Sequence, residues 1–480
     1  MKEKSVFKNA LLNIIRVSLS VVFPLITFPY VSRVLMAEKL GRVNYALSIE
    51  GYFALIAALG ISTYAVREGA RRRHDKEKFQ KFANEVFTVN MITALVSYVL
   101  LSITVFIVQA LHEYSLLIYL QSISIILTVI GVDWINSVFE DYLYITVRSF
   151  IIQVVLLMAM FLTIKSPDDY YKYALLTVLS NGITCTLNFF YTKKYCKVRI
   201  IKKCQFVKHV KGLLIFFANN LAINIYLNAD TTMLGYMDGD YEVGIYAVAV
   251  KIYNVIKAGI AAMFTACIPR LSAYYSNEKY DEYKALLNQI INTCTLFMFP
   301  AVAGLIVLAK PIVLILSGEG FIQATSSLSI IAFGIIGAIY GGIMTNCVNL
   351  PMRREKYNLK GTIIAALVNV MLNFVFIPLF HENGAAITTV IAEFTVLIYC
   401  LITFKRIKDI VDFQSIGKNV LTGLVECVII FGLDILVARL VTSWVLHIIV
   451  LMISSGTSYL VVLAVTKNPL LGVVLKRKEN

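Results

Sequence analysis

Long apolar segments recur along the whole chain, and they restrict its fold more than any other feature. A helix needs about 20 apolar residues to cross a bilayer, and many of these segments reach that length. Hydrophobic residues make up 59% of the chain, whereas soluble domains hold roughly 45–50%. The ten-residue alternating pattern of a transmembrane barrel does not occur. The sequence therefore predicts an all-α polytopic membrane protein.

Hydropathy divides these segments into about fourteen predicted transmembrane helices. The predicted ranges are 10–34, 43–65, 84–110, 115–136, 142–164, 170–191, 212–236, 242–268, 286–309, 324–350, 358–380, 384–404, 416–438 and 442–465. A basic loop at 192–211 divides the chain near its midpoint. Because many transporters consist of two related halves, we predict six-helix bundles at 1–205 and 206–410 and an extra helix pair at 411–480.

The formal net charge of +15 is unusual for a chain of this length. In a soluble protein it would favour nucleic acid as a partner. Here, however, Lys and Arg concentrate in alternate short loops between the apolar segments. Membrane proteins collect basic residues in their cytoplasmic loops. The charge therefore indicates topology rather than nucleic-acid binding, and it predicts that both termini are cytoplasmic.

Sequence motifs of membrane enzymes are absent. The chain has no GxxxxGK[ST] phosphate loop, no nucleophile elbow and no HExxH helix. Its eight cysteines and five histidines match no zinc-binding spacing. We therefore predict a protein that is not an enzyme and has neither a metal site nor a bound cofactor.

The predicted seventh helix has a polar face. Asn220, Asn224 and Asn228 recur every four residues, which places them on one side of a helix. Asp230 follows them on the same segment. Amide groups can hydrogen-bond to sugar hydroxyls, and they can equally join neighbouring transmembrane helices. Asn224 is the amide that we predict to contact a substrate.

The predicted eighth helix has a cationic arc. Lys251 and Lys257 lie about 60° to either side of Asn254, at roughly 100° per residue. A charge at bilayer depth is costly and normally faces a water-filled cavity or a partner. We therefore predict that Lys251, Asn254 and Lys257 line a cationic cavity that binds an anionic group. The alternative is a structural ion pair of a lysine with Asp230 or Glu50.

Arg16 is a further candidate cation, in the predicted first helix. A planar guanidinium suits bidentate contact with phosphate. Arg16 also lies only one or two turns from the predicted cytoplasmic edge, where a long side chain can extend to the interface instead. Both interpretations remain open.

Three carboxylates are candidates for ion coupling, namely Glu50, Asp230 and Glu393. A buried carboxylate can titrate, and it can thereby link transport to protons or sodium. The alternative for each is a structural partner of a basic residue.

Two hairpins resemble each other within the chain. Tyr45-Ala46 in the first aligns with Tyr246-Ala247 in the second, and Glu50 then lies opposite Lys251. This pattern supports a duplicated architecture.

The same two hairpins carry a family resemblance. The stretches LITFPYVSRVLMAEKLGRVNYALSIEGYFALIAALGISTYAVREGARRR and NADTTMLGYMDGDYEVGIYAVAVKI resemble polysaccharide repeat-unit flippases, the O-antigen and capsule translocases of the multidrug/oligosaccharidyl-lipid/polysaccharide exporter superfamily. The resemblance covers essentially the whole chain. It implies twelve core helices in two pseudo-symmetric, MATE-like bundles, in a bacterial inner membrane. The implied partners are membrane lipid, other polysaccharide assembly proteins and the cargo, an undecaprenyl-diphosphate-linked oligosaccharide that crosses by alternating access.

Other functions remain open at this stage. A peptidoglycan-precursor flippase would need a similar cationic cavity. A drug or cation exporter of the same superfamily would instead need an acidic one. A membrane glycosyltransferase or polymerase would need an extended catalytic loop, and the predicted outer loops are all short.

Overall fold

The computed structural model describes residues 6–202, 206–441, 443–466 and 468. Side chains are described from Phe23 onward, apart from several positions within 206–226. The described chain is almost entirely helical and contains no strand.

The structure divides into two compact units, Met1–Gly244 and Ile245–Asn480. The helices of the first unit are α1 Val6–Ala58, α2 Ile61–Ala70, α3 Lys76–Ile107, α4 Ser115–Gly131, α5 Trp134–Val138, α6 Tyr142–Thr163, α7 Tyr170–Thr192 and α8 Phe206–Met237. Helix α9, Asp240–Thr265, begins in the first unit and continues into the second. The other helices of the second unit are α10 Ile268–Ser276, α11 Tyr280–Val307, α12 Ala309–Ser317, α13 Ala324–Ala332, α14 Gly334–Ile343, α15 Glu355–Thr403, α16 Ile407–Ile410, α17 Phe413–Leu440 and α18 Trp444–Val465.

The prediction of an all-α polytopic membrane protein is confirmed. Among the described residues, eleven helical segments are long and apolar enough to cross a membrane. Two of them each cover two predicted spans: Glu355–Thr403 covers the eleventh and twelfth, and Phe23–Ala70 covers the second and the later part of the first. Helix α8 coincides with the predicted seventh span. The predicted count of about fourteen therefore matches the structure when each long segment is counted as two helices.

Helix α15 is a hairpin that reverses at a single residue. The backbone leaves the helical region only at His381, where φ is 55° and ψ is −133°. A Cβ atom on Gly384 would lie 2.1 Å from the carbonyl oxygen of Phe376, because the two halves of the hairpin meet there. Further from the turn, Thr388 on the returning half donates a hydrogen bond to Asn373. The reversal lies within the predicted gap between the eleventh and twelfth spans.

Helix α1 has a similar break, which lies within the predicted gap between the first and second spans but is shorter than that gap. The backbone departs from helical geometry only at Met36, with φ 61° and ψ 173°. The predicted turn at 35–42, including Gly41, is helical from residue 37 onward. Arg42, within this predicted gap, forms an ion pair at 2.6 Å with Glu113. Charged side chains near the end of a span can extend to the interface without ending the helix.

Close backbone approaches join α1 to the α8–α9 turn inside the first unit. A Cβ on Gly41 would lie 1.7 Å from the carbonyl oxygen of Asp240, and one on Gly244 would lie 2.0 Å from that of Ala37. Only glycine fits at such distances, and small residues are what allow transmembrane helices to pack this closely. Helix α8 also packs against α2 and α3. The predicted bundles 1–205 and 206–410 stay a prediction.

Candidate functional site

An intramembrane ion pair in the second unit joins α9 to the returning half of α15. The Nζ atom of Lys257 donates to Oε1 of Glu393 at 2.6 Å. The hydroxyl of Tyr253 donates to the same oxygen at 2.9 Å. The Lys257 side chain is 28% exposed, whereas that of Glu393 is only 8% exposed. The carboxylate is therefore fixed inside the protein, while the lysine has one accessible side.

Helical spacing brings these residues together. Tyr246 and Tyr253 are two turns apart on α9, and Thr389 and Glu393 are one turn apart on α15. The Tyr246 and Thr389 hydroxyls lie 2.9 Å apart, which gives a second polar contact along the same interface. A Cβ on Gly337 of α14 would lie 2.9 Å from the Glu393 backbone. Helix α14 can thus pack directly behind the glutamate and hold its backbone in place.

The sequence-derived partner of this lysine is wrong. If paired, Lys257 was expected to contact Asp230 or Glu50, whereas its carboxylate partner in the structure is Glu393. A lysine and a carboxylate at this distance form a charge-assisted hydrogen bond, which is stronger than a neutral one. The contact unites one predicted substrate-binding residue with one predicted ion-coupling residue.

The other two residues of the predicted cationic arc lie on the same helix. Asn254 is exposed, and Lys251 is partly exposed. The Lys251, Asn254 and Lys257 side chains are therefore accessible in the second unit to different degrees. Their predicted role in substrate binding remains a prediction.

In the first unit, Glu50 and Asp230 are both buried. The hydroxyl of Ser124 donates to Oε1 of Glu50 at 2.8 Å across the α1–α4 interface. Close by in sequence, Tyr52 and Ser48 of α1 lie 3.2 Å and 2.9 Å from the Thr232 hydroxyl of α8. Polar groups thus connect α1 to α4 and to α8, as is common in membrane helix packing.

The asparagine face of α8 also contributes to packing. Asn228 donates through Nδ2 to Oδ1 of Asn224 at 3.1 Å. The same Nδ2 atom would lie 3.8 Å from a Cβ on Gly51 of α1. Asn224 is partly exposed, so its amide nitrogen has access to other partners. Arg16 belongs to α1, but its side chain lies outside the described residues.

The sequence analysis missed a buried histidine network. His209 on α8 contacts Tyr64 on α2 through Nδ1 at 2.9 Å and Glu85 on α3 through Nε2 at 2.9 Å. All three residues are buried. The charged residues around 202–211 indicated an exposed loop, but the helix begins at Phe206 and carries His209 inward. Glu85, a charged residue in an otherwise apolar segment, was the signal that could have revealed this network.

A second missed cluster surrounds Asp141, just before α6. Its Oδ2 atom accepts hydrogen bonds from Tyr191, Lys194 and Tyr195 at 2.8, 2.7 and 2.6 Å. Burial alone would lower the pKa of Lys194, but its hydrogen bonds to Asp141 and the two tyrosines raise the pKa above its usual value. This lysine therefore keeps its charge at the end of α7.

Comparison with known families identifies the chain. The model of the polysaccharide biosynthesis protein family matches residues 6–275, more than half of the sequence. The chain belongs to this family. A second model, that of the lipid II flippase MurJ, matches residues 240–455. The resemblance to polysaccharide flippases found in the sequence is thereby confirmed.

Two distant relatives of this polysaccharide biosynthesis protein match it over most of their length. It is 22% identical to a Shigella dysenteriae protein provisionally named as an O-antigen transporter, over 84% of this chain and all of that protein. It is also 22% identical to the capsular polysaccharide biosynthesis protein CapF of Staphylococcus aureus, over 77% of this chain and 92% of that protein.

Solved structures show the same fold. A lipid II flippase MurJ in an inward closed conformation matches with a TM-score of 0.78 and 17% identity, over 96% of this chain and all of that chain. A MATE family multidrug transporter matches with a TM-score of 0.65 and 17% identity, over 83% of this chain and 98% of that one. The predicted MATE-like fold is therefore confirmed.

Proposed function

We propose that this protein flips undecaprenyl-diphosphate-linked oligosaccharide repeat units from the inner to the outer leaflet of a bacterial cytoplasmic membrane. The match to the polysaccharide biosynthesis family over residues 6–275 carries the proposal. The relatives named for O-antigen transport and capsule synthesis support the same class of cargo. The basic loops favour cytoplasmic termini, so the cargo enters from the side where it is made.

The diphosphate headgroup is the part of the cargo that the protein must draw away from the interface. In this proposal Lys251, Lys257 and Arg16 bind it, because cations offset the cost of bringing phosphate into a low-dielectric interior. Asn254 and Asn224 contact sugar hydroxyls through their amides. The partial exposure of Lys251 and Lys257 is compatible with this role.

Glu393 gives the headgroup site a means of release. While Lys257 donates to Glu393, its charge is partly neutralised by the carboxylate. An arriving diphosphate competes for the lysine, and Glu393 is then left buried and charged unless a proton or sodium ion neutralises it. Ion binding at Glu393 would thus be coupled to cargo binding, with Glu50 and Asp230 as further coupling candidates in the first unit.

A peptidoglycan-precursor flippase is the second candidate, favoured by the MurJ family match over residues 240–455. Both cargoes carry a polyprenyl diphosphate, so the same cationic residues serve either function. The likeness to multidrug transporters concerns the fold alone, and basic residues suit an anionic cargo better than a cationic drug.

The proposal is tested in a host strain from which this chain has been deleted. We expect Lys251→Ala and Lys257→Ala to reach the membrane in normal amounts yet abolish surface polysaccharide, with the lipid-linked glycan accumulating inside. Lys251→Arg tests whether charge alone suffices. Lys279→Ala, at an exposed position, serves as the control and should export normally. Full export by both alanine variants would contradict the site, and loss of peptidoglycan precursor export instead of polysaccharide would favour the second candidate.

A further inference from the structure

A groove in the first unit lies between α6 and α7, and none of the predicted substrate-binding or ion-coupling residues whose side chains are described lines it. It has a volume of about 490 Å³, within the range of roughly 300–1,000 Å³ that is typical of small-molecule pockets. Its lining combines aliphatic residues with Asp141, Tyr144, Arg148 and Tyr191. The Tyr144 and Tyr191 rings stack at 3.4 Å and fix the spacing between the two helices.

The walls of the groove are apolar and face outward. Leu143, Val147 and Ile151 of α6 and Leu187 of α7 line it, and each is about half exposed. In helices that cross a membrane, outward aliphatic residues contact lipid chains rather than water. The groove therefore opens toward the acyl chains of the bilayer.

A buried arginine lines this apolar groove. Arg148 is 6% exposed and lines the cavity. Its Nη1 and Nη2 atoms are both 3.3 Å from a single oxygen, Oδ1 of Asp133. Its Nε atom has no hydrogen-bond partner among the described residues. A guanidinium has five donors suited to two oxygens of one anion, so the arrangement leaves donor capacity unused.

The aspartate partner is poorly placed to satisfy this charge. The Asp133 side chain is 60% exposed, whereas that of Arg148 is 4% exposed. The guanidinium also lies 5.3 Å from the centre of the Tyr144 ring, and this contact with a neutral side chain adds no second anionic partner. A second anion reaching the groove would therefore find a preformed cation held by a long, single-oxygen contact.

Arg148 lies near the end of its transmembrane helix, at the level where lipid headgroups are found. Arg148 lies in the second turn of α6, and the adjacent α7 ends at Thr192, followed directly by Lys193 and Lys194. A basic end of this kind is predicted to be cytoplasmic. The cytoplasmic leaflet contains anionic lipids that basic residues attract.

We propose that the α6–α7 groove binds an anionic phospholipid of the cytoplasmic leaflet. The Arg148 guanidinium contacts its phosphate, and one acyl chain lies along Val147, Ile151 and Leu187. Phospholipid is favoured over the transported lipid because the groove opens to the bulk bilayer, where phospholipid is by far the more concentrated ligand and occupancy follows concentration. The site does not depend on which cargo the protein transports.

The test is native mass spectrometry of the purified full-length chain with added dioleoyl-phosphatidylglycerol or dioleoyl-phosphatidylcholine. We expect the wild type to retain phosphatidylglycerol about tenfold more strongly, and Arg148→Gln to lose this preference. Asp133→Asn removes the competing carboxylate, so it should strengthen phosphatidylglycerol binding. If the Arg148–Asp133 ion pair were only structural, Asp133→Asn would instead weaken phosphatidylglycerol binding, because Arg148 would no longer be held in position. Ile151→Trp fills the groove without changing charge and should also abolish binding, which keeps the test valid if Arg148→Gln does not fold.

Arg270→Gln is the matched control, because it removes one exposed positive charge from α10 in the second unit. It should bind phosphatidylglycerol like the wild type. Four results would overturn the proposal. The first two are a wild type without preference for the anionic lipid and a preference that survives both Arg148→Gln and Ile151→Trp. The others are weaker phosphatidylglycerol binding by Asp133→Asn and displacement of phosphatidylglycerol by an equimolar amount of undecaprenyl phosphate, which would assign the groove to the transported lipid.

Discussion

Replacing Glu393 with glutamine should increase headgroup affinity while reducing transport. Gln has nearly the same shape as Glu, and its amide oxygen can still accept the Tyr253 hydroxyl that now bonds to Glu393 at 2.9 Å. The change removes only the negative charge that holds Lys257 at 2.6 Å. The lysine would then be available to an incoming diphosphate without first leaving a carboxylate.

The size of the effect follows from the exposure of the pair. Exposed ion pairs contribute about 0–1 kcal/mol, whereas hydrogen bonds to charged groups contribute roughly 1.5–3 kcal/mol. Lys257 is 28% exposed and Glu393 8% exposed, so the pair belongs between these classes. A value of about 1.4 kcal/mol corresponds to a tenfold change in a binding constant. We therefore expect Glu393→Gln to bind the headgroup about tenfold more tightly.

The assay is binding of a fluorescent polyprenyl diphosphate to detergent-purified protein, together with flipping of the same lipid in vesicles. Flipping should slow in Glu393→Gln, because no carboxylate recaptures Lys257 and promotes release. Glu319→Gln removes an exposed acidic residue from the same unit and should change neither measurement. Unchanged or weaker binding by Glu393→Gln, beside a normal Glu319→Gln, would refute competition between Glu393 and the cargo.

Two further predictions concern stability. Gly41→Ala places a Cβ 1.7 Å from the Asp240 carbonyl oxygen and should destabilise the protein by about 3 kcal/mol through overpacking. Its control is Gly259→Ala, which should not lower the melting temperature because no described atom lies within 4 Å of the new Cβ. Equal melting temperatures of the two variants would contradict the close approach. His209→Phe removes the 2.9 Å contacts of His209 with Glu85 and Tyr64. It should lower the free energy of unfolding by about 1–3 kcal/mol, because buried polar groups lose a hydrogen-bond partner. Thermal unfolding measures this change, and an unchanged melting curve would show that the network adds nothing to stability.

Hydropathy predicted the helices well because the bilayer imposes a minimum length on every apolar span. It placed the first turn at 35–42 but did not predict that the turn is made by Met36 alone, a single residue with positive φ. Lys39 and Arg42 lie in the predicted gap 35–42, yet both are helical in the structure. A window of about 20 residues averages over a turn that short.

Long-range pairing was harder to predict than helices. The sequence identified Lys257 and Glu393 as separate candidates because each is a charge in an apolar segment. It did not join them, since 136 positions separate the two residues and nothing in hydropathy says which helices touch. Tyr246 and Tyr253 are two turns apart on α9, and Thr389 and Glu393 are one turn apart on α15. These spacings identify contacting pairs only once α9 and α15 are known to be neighbours. The same limit hid the contact of His209 with Glu85.

The one-residue reversal at His381 also affects how this protein can be mapped experimentally. Reporter fusions, epitope tags and engineered protease sites need several residues of accessible chain between two helices. The α15 hairpin has no such accessible chain, because its helices continue to either side of His381. Gly384 also lies directly against the backbone of Phe376 in the opposing helix. An insertion there would separate the two helices and report on a damaged protein. The short turn at Pro167–Asp169, between α6 and α7, is the better place for such a probe.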